Sequence, residues 1–176
     1  MLSLSGEIDL YYGDETHFCS EGYVPRGWQF KDEKVAVFVE RRYKINCFGI
    51  INRQNDCLWK TTTTNINSNF VIEFLDKLSL NIKKDTVIVL DNARLHKSKA
   101  VKERIKYWEQ RGLFLFFLTT YSPELNIIET LWRTLKTTYI RPQDYSTEDN
   151  LHYQLNRLMS SIGQEWNIKF SDFNLN

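Results

Sequence analysis

Thr86-Val87-Ile88-Val89-Leu90-Asp91-Asn92-Ala93-Arg94-Leu95-His96 opens on an unbroken apolar run and stops abruptly at an acid and an amide. The run is short and rich in β-branched residues, so it reads as a buried strand. A second wholly apolar run covers residues 113–118. Between the two, Ser98 is placed to cap a helix whose Val101, Ile105 and Trp108 fall at i, i+4 and i+7, and Gly112 closes it. Continuous apolar strands that alternate with helices are the pattern of parallel strands covered on both faces. The fold class is therefore α/β.

Towards the N-terminus, Ile8, Leu10 and Tyr12 alternate with Asp9, Tyr11 and Gly13, a strand period that runs into Asp14-Glu15. Residues 21–32 hold two glycines and a proline and read as an irregular excursion. Residues 35–39, 45–52 and 58–64 are β-branched or aromatic runs, the pattern of an antiparallel hairpin or meander. Asn67 or Ser68 caps a helix whose Phe70, Val71, Phe74, Leu75 and Leu78 form one stripe. Beyond the second apolar run, Ser122-Pro123-Glu124 has the chemistry of a helix start, and Leu125, Ile128, Trp132, Leu135 and Tyr139 make its stripe up to Pro142. Ser146 or Thr147 opens a last helix carrying Leu151, Leu155, Leu158, Met159 and Ile162.

The chain has 176 residues, of which 42% are hydrophobic and 14% aromatic, enough for one globular domain over 1–176 and too many for wholesale disorder. A net charge of +1 excludes a histone-like tail and an acidic chaperone. The longest apolar run is far short of a membrane span. Met1 to Glu7 lacks a basic segment followed by a long apolar one, so a secretory signal is not expected. Cys19, Cys47 and Cys57 are widely spaced and odd in number, which favours reduced, partly buried thiols over disulfides or a zinc ribbon. Charge is unevenly spread. Residues 1–30 hold five acids against Arg26 alone, whereas residues 94–142 hold ten bases against four acids. Such an asymmetry can bind a polyanion beside a metal site. On charge alone, two solvated faces explain it as well or better.

Three acids stand at special places: Asp14 at the end of the first strand, Asp91 at the end of the buried strand, and Glu129 one turn into the helix after the last strand. In open α/β sheets functional groups gather outside the carboxyl ends of strands. Carboxylates from three separate elements suit a pair of Mg²⁺ ions, which take oxygen ligands and serve phosphoryl transfer. An Asp after a strand is also a common turn residue, so spacing alone leaves both readings open.

The local contexts narrow the choice. They are Gly13-Asp14-Glu15-Thr16-His17-Phe18, then Asp91-Asn92-Ala93-Arg94-Leu95-His96, then Ser122-Pro123-Glu124-Leu125-Asn126-Ile127-Ile128-Glu129-Thr130-Leu131-Trp132. Their order resembles the DDE transposases of the insertion-sequence-630 and mariner superfamily, whose patterns are a strand ending in Asp-Glu, then Asp-Asn-Ala-x-x-His, then Ser-Pro-x-Leu-Asn-Pro-Ile-Glu-x-x-Trp. Gly22-Tyr23-Val24-Pro25-Arg26-Gly27-Trp28 is also similar to the family's segment before its second strand. The resemblance extends over nearly the whole chain. Asp91 and Glu129 are 38 positions apart, slightly long for the family. Ile127 stands where the family usually has proline, which loosens the turn before Glu129 but removes no carboxylate.

The resemblance implies an RNase H-like fold with a mixed five-stranded sheet flanked by helices. It implies that Asp14, Asp91 and Glu129 bind two Mg²⁺, with Mn²⁺ as substitute, and promote DNA cleavage and strand transfer at transposon ends into TA targets. Asn92, His96, Glu15 and Asn126 then belong to the surroundings of the site or to DNA contacts. By strand parity Glu15 faces away from Asp14 and is not a primary ligand. His96 fits an approach to the scissile phosphate and a structural place at a helix start equally well. Trp132 reads as core. Arg94, Lys97, Lys99, Arg133 and Lys136 are candidate phosphate contacts, with solvated surface a close competitor. The expected partners are DNA, a second copy of the chain on that DNA, and a separate helix-turn-helix polypeptide, because no recognition helix precedes the first strand. A cytoplasmic, nucleoid-associated bacterial protein is the expected setting, with no membrane partner. Two alternatives use the same residues: an RNase H-like nuclease without strand transfer, and an inactive DNA-binding remnant. Phosphate-loop, dinucleotide, nucleophile-elbow and zinc-protease motifs do not occur in the sequence.

Overall fold

A computed structural model describes residues 6–20, 42–119 and 125–170. Five strands, β1 (Asp9–Cys19), β2 (Lys44–Ile51), β3 (Cys57–Thr62), β4 (Thr86–Leu90) and β5 (Leu113–Phe117), form one sheet in the order β3-β2-β1-β4-β5. The first three strands pair antiparallel, and β1–β4 and β4–β5 pair parallel. The helices are α1 (Ser68–Ser79), α2 (Lys99–Glu109), α3 (Ile128–Thr134) and α4 (Glu148–Ser161). This is the mixed, helix-flanked sheet of the RNase H-like fold.

Alternation along the strands divides the core into two layers. Tyr12, Phe18, Ile45, Cys47, Ile51 and Val89 face α3 and α4, where Ile128, Leu131, Trp132, Leu151 and Leu155 complete the layer. Phe48, Ile50, Ile88 and Leu90 face the opposite way, onto Val71 and Leu75 of α1 and Val101 and Trp108 of α2. Side-chain caps fix three helix starts: Asn67 accepts from the amide of Phe70, Ser98 from that of Val101, and Thr147 from that of Asn150. Asp76 ties α1 to α2, accepting from Arg104 at 2.7 Å and from the indole of Trp108 at 2.8 Å. All three cysteines are free thiols, with Cys47 buried.

Several boundaries differ from the sequence expectation. β1 does not end at Asp14. It continues to Cys19 because β2 keeps pairing with it, from Tyr12 opposite Ile51 to Cys19 opposite Lys44, after β4 has stopped. Among the described residues β5 is a sheet edge and is not covered on both faces: Phe114 and Phe116 are exposed, and α3 and α4 on that side pack mainly over β1, β2 and β3. α3 begins at Ile128, and Leu125 sits exposed in a preceding turn. The helix then widens into a π turn over Leu135–Tyr139, where the amide of Ile140 reaches back to the carbonyl of Leu135. The expected strand at 35–39, the excursion at 21–32 with Gly22 to Trp28, and the Ser122-Pro123-Glu124 start lie outside the described residues.

Candidate active site

The site lies where the parallel pair β1 and β4 stops sharing a ladder. The last paired positions are Tyr12 and Val89, and Asp14 and Asp91 each come two residues later. β1 carries Asp14 onward beside Gly49 of β2, whereas β4 turns away into the loop before α2. Tyr12 packs towards α3, so strand parity sends the Asp14 side chain to that same face, where it is buried.

Glu129 reaches this face because α3 is fastened to the strands on either side of it. Asn126, just before the helix, is buried and donates from Nδ2 to the carbonyl oxygen of Gly13 at 3.1 Å. Trp132, one turn after Glu129, is buried against Gly49. A side chain at either glycine would press on its neighbours, at Gly49 on a rigid ring and at Gly13 on side-chain ends. A Cβ on Gly49 would stand 2.9 Å from the Trp132 ring, and one on Gly13 would stand 2.8 Å from Leu90. Ile127, at the position of the family's proline, is buried in the same apolar layer.

The acids act on one another electrostatically. Burial pushes the Asp14 carboxyl up to about 8, reinforced by the negative charges of Glu15, Glu129 and Asp91. A cationic side chain enters from the π turn. Lys136 is half-buried, donates to Thr16 Oγ1 at 2.7 Å and lies over the Phe18 ring. Burial lowers its pKa, while Glu129 and Asp14 act in the opposite direction.

On the other face the sequence holds its second acid. Glu15 pairs across the ladder with Phe48, which belongs to the α1/α2 layer. Its Oε2 stands 3.2 Å from Nε2 of His96, an ionic contact without hydrogen-bond alignment. Nδ1 of His96 lies 2.8 Å from Asp91 Oδ1, which also accepts from the amide of Ala93 at 3.0 Å. The His96 side chain is wholly buried, with its ring edge-on to Phe48. Burial disfavours its charged form, but the two carboxylates outweigh that and raise its pKa to about 9. The same hydrogen bond holds the Asp91 carboxyl below the usual range against partial burial. His96 therefore takes the structural place open to it in the sequence, and Glu15 faces as strand parity requires.

Asn92 donates from Nδ2 to the carbonyl of Leu118, fixing the loop after Asp91 to the end of β5. Arg94, Lys97, Lys99 and Arg133 are exposed. Lys97 lies over the Phe117 ring, Lys99 pairs with Glu103 at 3.8 Å, and Lys136 is joined electrostatically to Glu129 and Asp14. Gly13 and Gly49 escaped the sequence analysis. Gly13 stood next to a candidate acid, but nothing in the sequence marked Gly49.

Among the described residues no group of three or more His, Cys, Asp or Glu side chains is close enough to enclose a metal ion unaided. The donor set still fits Mg²⁺ or Mn²⁺. Mg²⁺ is usually held by one or two carboxylates together with substrate phosphates and water. Asp14 is a buried acid beside three others, and Asn92 Oδ1 is buried with no hydrogen-bond partner among the described residues.

An RNase H-like sheet with acids at the ends of its central parallel pair is the architecture of a nucleic-acid phosphoryl-transfer core. The chain belongs to the DDE superfamily endonucleases, whose family model matches residues 9–152. It is 22% identical over 161 residues to the insertion element IS630 uncharacterized 39 kDa protein of Shigella sonnei, covering 90% of this chain and 46% of that protein. The fold is similar to that of the mariner Mos1 paired end complex with Mg, with a TM-score of 0.63 at 13% identity over 87% of this chain and 48% of that one. It is also similar to the catalytic core domain of BIV integrase, with a TM-score of 0.54 at 11% identity over 91% of this chain and 86% of that one. The chain thus spans about half the length of the transposase and insertion-element proteins it matches.

Proposed function

We propose that residues 1–176 act as the catalytic domain of a DDE transposase that cleaves DNA at transposon ends and joins the freed ends to target DNA, with TA dinucleotides as targets. The observation that carries this reading is geometric: in a chain matched by the DDE superfamily endonuclease model over residues 9–152, Asp14 and Asp91 each stand two residues past the last paired positions of β1 and β4, with Asp14 buried. Asp14, Asp91 and Glu129 are the oxygen donors for two Mg²⁺, with Mn²⁺ as substitute. Held by these carboxylates, the ions would supply activation of the attacking oxygen and stabilisation of the leaving one.

The chain's own groups prepare that chemistry. Asp14 must release its proton before it can ligate, so binding of a divalent ion and loss of this proton are linked. The Asn126 and Trp132 contacts hold α3 at the distance from β1 that Glu129 requires. Lys136 offers its ammonium to a DNA phosphate beside the acids, a contact that positions the strand without reading its sequence. Glu15, His96, Asn92 and Asn126 support the site from behind or beside it. Arg94, Lys97, Lys99 and Arg133 supply outlying phosphate contacts. DNA is the partner, bound by two copies of the chain, in keeping with the paired-end complexes among its structural neighbours.

Duplex oligonucleotides carrying a transposon end test the proposal. The protein cleaves them in Mg²⁺ or Mn²⁺, Asp91→Ala does not, and a pre-cut end is transferred to a TA-containing plasmid. Equal cleavage by wild type and Asp91→Ala refutes the site. Cleavage without transfer of the pre-cut end replaces the transposase by a nuclease.

A further inference from the structure

Two neighbouring acids on β1 point to opposite faces of the sheet, yet both are connected to Asp91. Asp14 reaches it through the cluster in front. Glu15 reaches it from behind through His96, whose two ring nitrogens lie 3.2 Å from Glu15 and 2.8 Å from Asp91. We propose that Glu15 and His96 form a positioning relay that fixes the carboxylate of Asp91 for cation binding: Glu15 sets the ring of His96, and His96 holds Oδ1 of Asp91 so that Oδ2 is directed to the ion. This rests on the reading of Asp91 as a metal ligand.

Three features support it. Asp91 follows the last residue of β4 and has no strand partner, so the ladder does not fix its side chain. Its Oδ1 is fixed by two donors, the His96 ring and the Ala93 amide, while among the described residues no hydrogen bond engages Oδ2. The Asp91 side chain is about half exposed, which keeps that second oxygen accessible. The ring doing the holding is itself immobile, being wholly buried edge-on to Phe48. Both ring nitrogens meet carboxylates, Nδ1 through a hydrogen bond to Asp91 and Nε2 through the ionic contact with Glu15, so the orientation is set from two sides. Groups behind a ligand that fix its orientation are worth about 10- to 100-fold in metal affinity.

The arrangement also gives Glu15 a reason to be acidic. It lies on the face away from Asp14, where a ligand role is closed to it, and its side chain is only one-third exposed. A carboxylate there serves to hold the far nitrogen of an otherwise buried imidazole.

The test is Mn²⁺ titration by calorimetry in the presence of a DNA duplex, on the whole protein. Glu15→Gln and His96→Gln each weaken Mn²⁺ binding by about 10- to 100-fold, and the double variant is no weaker than His96→Gln alone, because both act through one contact. Glu15→Asp recovers part of the loss by restoring the charge. Metal-free proton NMR gives an independent reading: a slowly exchanging imidazole Nδ1–H signal, present in wild type, shifts in Glu15→Gln although that variant touches only the other nitrogen. Wild-type Mn²⁺ affinity in Glu15→Gln and His96→Gln, with binding lost in Asp91→Ala, overturns the relay and leaves the metal site standing. Wild-type affinity in Asp91→Ala, or no Mn²⁺ binding by any form, overturns the metal-site reading and the relay with it. Additive losses in the double variant assign the two residues separate structural roles and also overturn the relay.

Discussion

Asn126 donates its side-chain amide to the backbone carbonyl of Gly13, one residue before Asp14, across a separation of 113 positions in the chain. This bond fastens the start of α3 to the strand that carries the first acid. Asn126→Ala breaks it and leaves a buried carbonyl less well satisfied, at a cost of about 1–3 kcal/mol. Denaturant unfolding measures that loss. DNA cleavage in Mg²⁺ falls further than stability accounts for, because Glu129 moves with the helix. Unchanged cleavage in a folded Asn126→Ala protein separates α3 position from activity.

Gly49 gives a prediction of opposite chemistry, a group added rather than removed. The methyl group of Gly49→Ala meets the Trp132 ring at 2.9 Å and has no flexible chain end to displace. Overpacking of this kind costs about 1–3 kcal/mol. Gly49→Ala,Trp132→Phe recovers part of the stability by vacating the space, which thermal melts of the two variants resolve.

The raised Asp14 carboxyl gives the metal-free protein a defined pH dependence. Unfolded, this group loses its proton near 3.8; folded, it keeps it up to about 8. Between these values the native state binds more protons, so stability falls as pH rises, by up to about 1.4 kcal/mol per pH unit. His96, raised from 6.5 to about 9, adds a fall of the same sign at higher pH. Thermal midpoints in chelator between pH 5 and 8.5 follow this slope. Asp14→Asn flattens it below pH 6.5 and melts higher than wild type at pH 8 while losing cleavage. Equal slopes in the two proteins contradict the assignment. Mn²⁺ stabilises the wild type more at pH 8 than at pH 6, since proton and ion compete for one carboxylate.

Lys136 is expected to act on DNA through charge. Lys136→Met keeps an unbranched apolar side chain but loses the ammonium, with its place over Phe18 and its bond to Thr16. Duplex affinity falls for all sequences alike, and the slope of log affinity against log salt decreases by about 1. An unaltered slope assigns the lysine to the protein interior alone.

The sequence made the layering legible because burial on a two-residue period is a local property. Glu15 was assigned to the face away from Asp14 on parity, and Trp132 to the core on helical spacing, and both stand there. What failed depended on distant partners. The polar triplet Asp14-Glu15-Thr16 resembles a strand end, yet β2 supplies ladder bonds through Cys19. The apolar run of β5 resembles an interior strand, but composition does not reveal which strand has a neighbour on one side only. The demand for glycine at position 49 comes from a ring 83 positions later, so no signal near Gly49 could announce it. The two carboxylates around His96 were within sight in the motifs themselves, but their meeting on one imidazole required the sheet.

The alternation of Asp14 and Glu15 also makes the centre depend on the register of β1. A one-residue slip of β1 against its neighbours would turn Glu15 towards α3 and Asp14 towards His96, exchanging two acids of the same charge. Gly13 guards against this: a Cβ there already meets the side-chain ends of Leu90 and Ile50 at 2.8 and 3.0 Å. Slipped by one position, the strand would drive Tyr12 or Asp14 against them. The fidelity of the chemistry is thereby secured during chain assembly, by the smallest residue on the strand and not by any carboxylate.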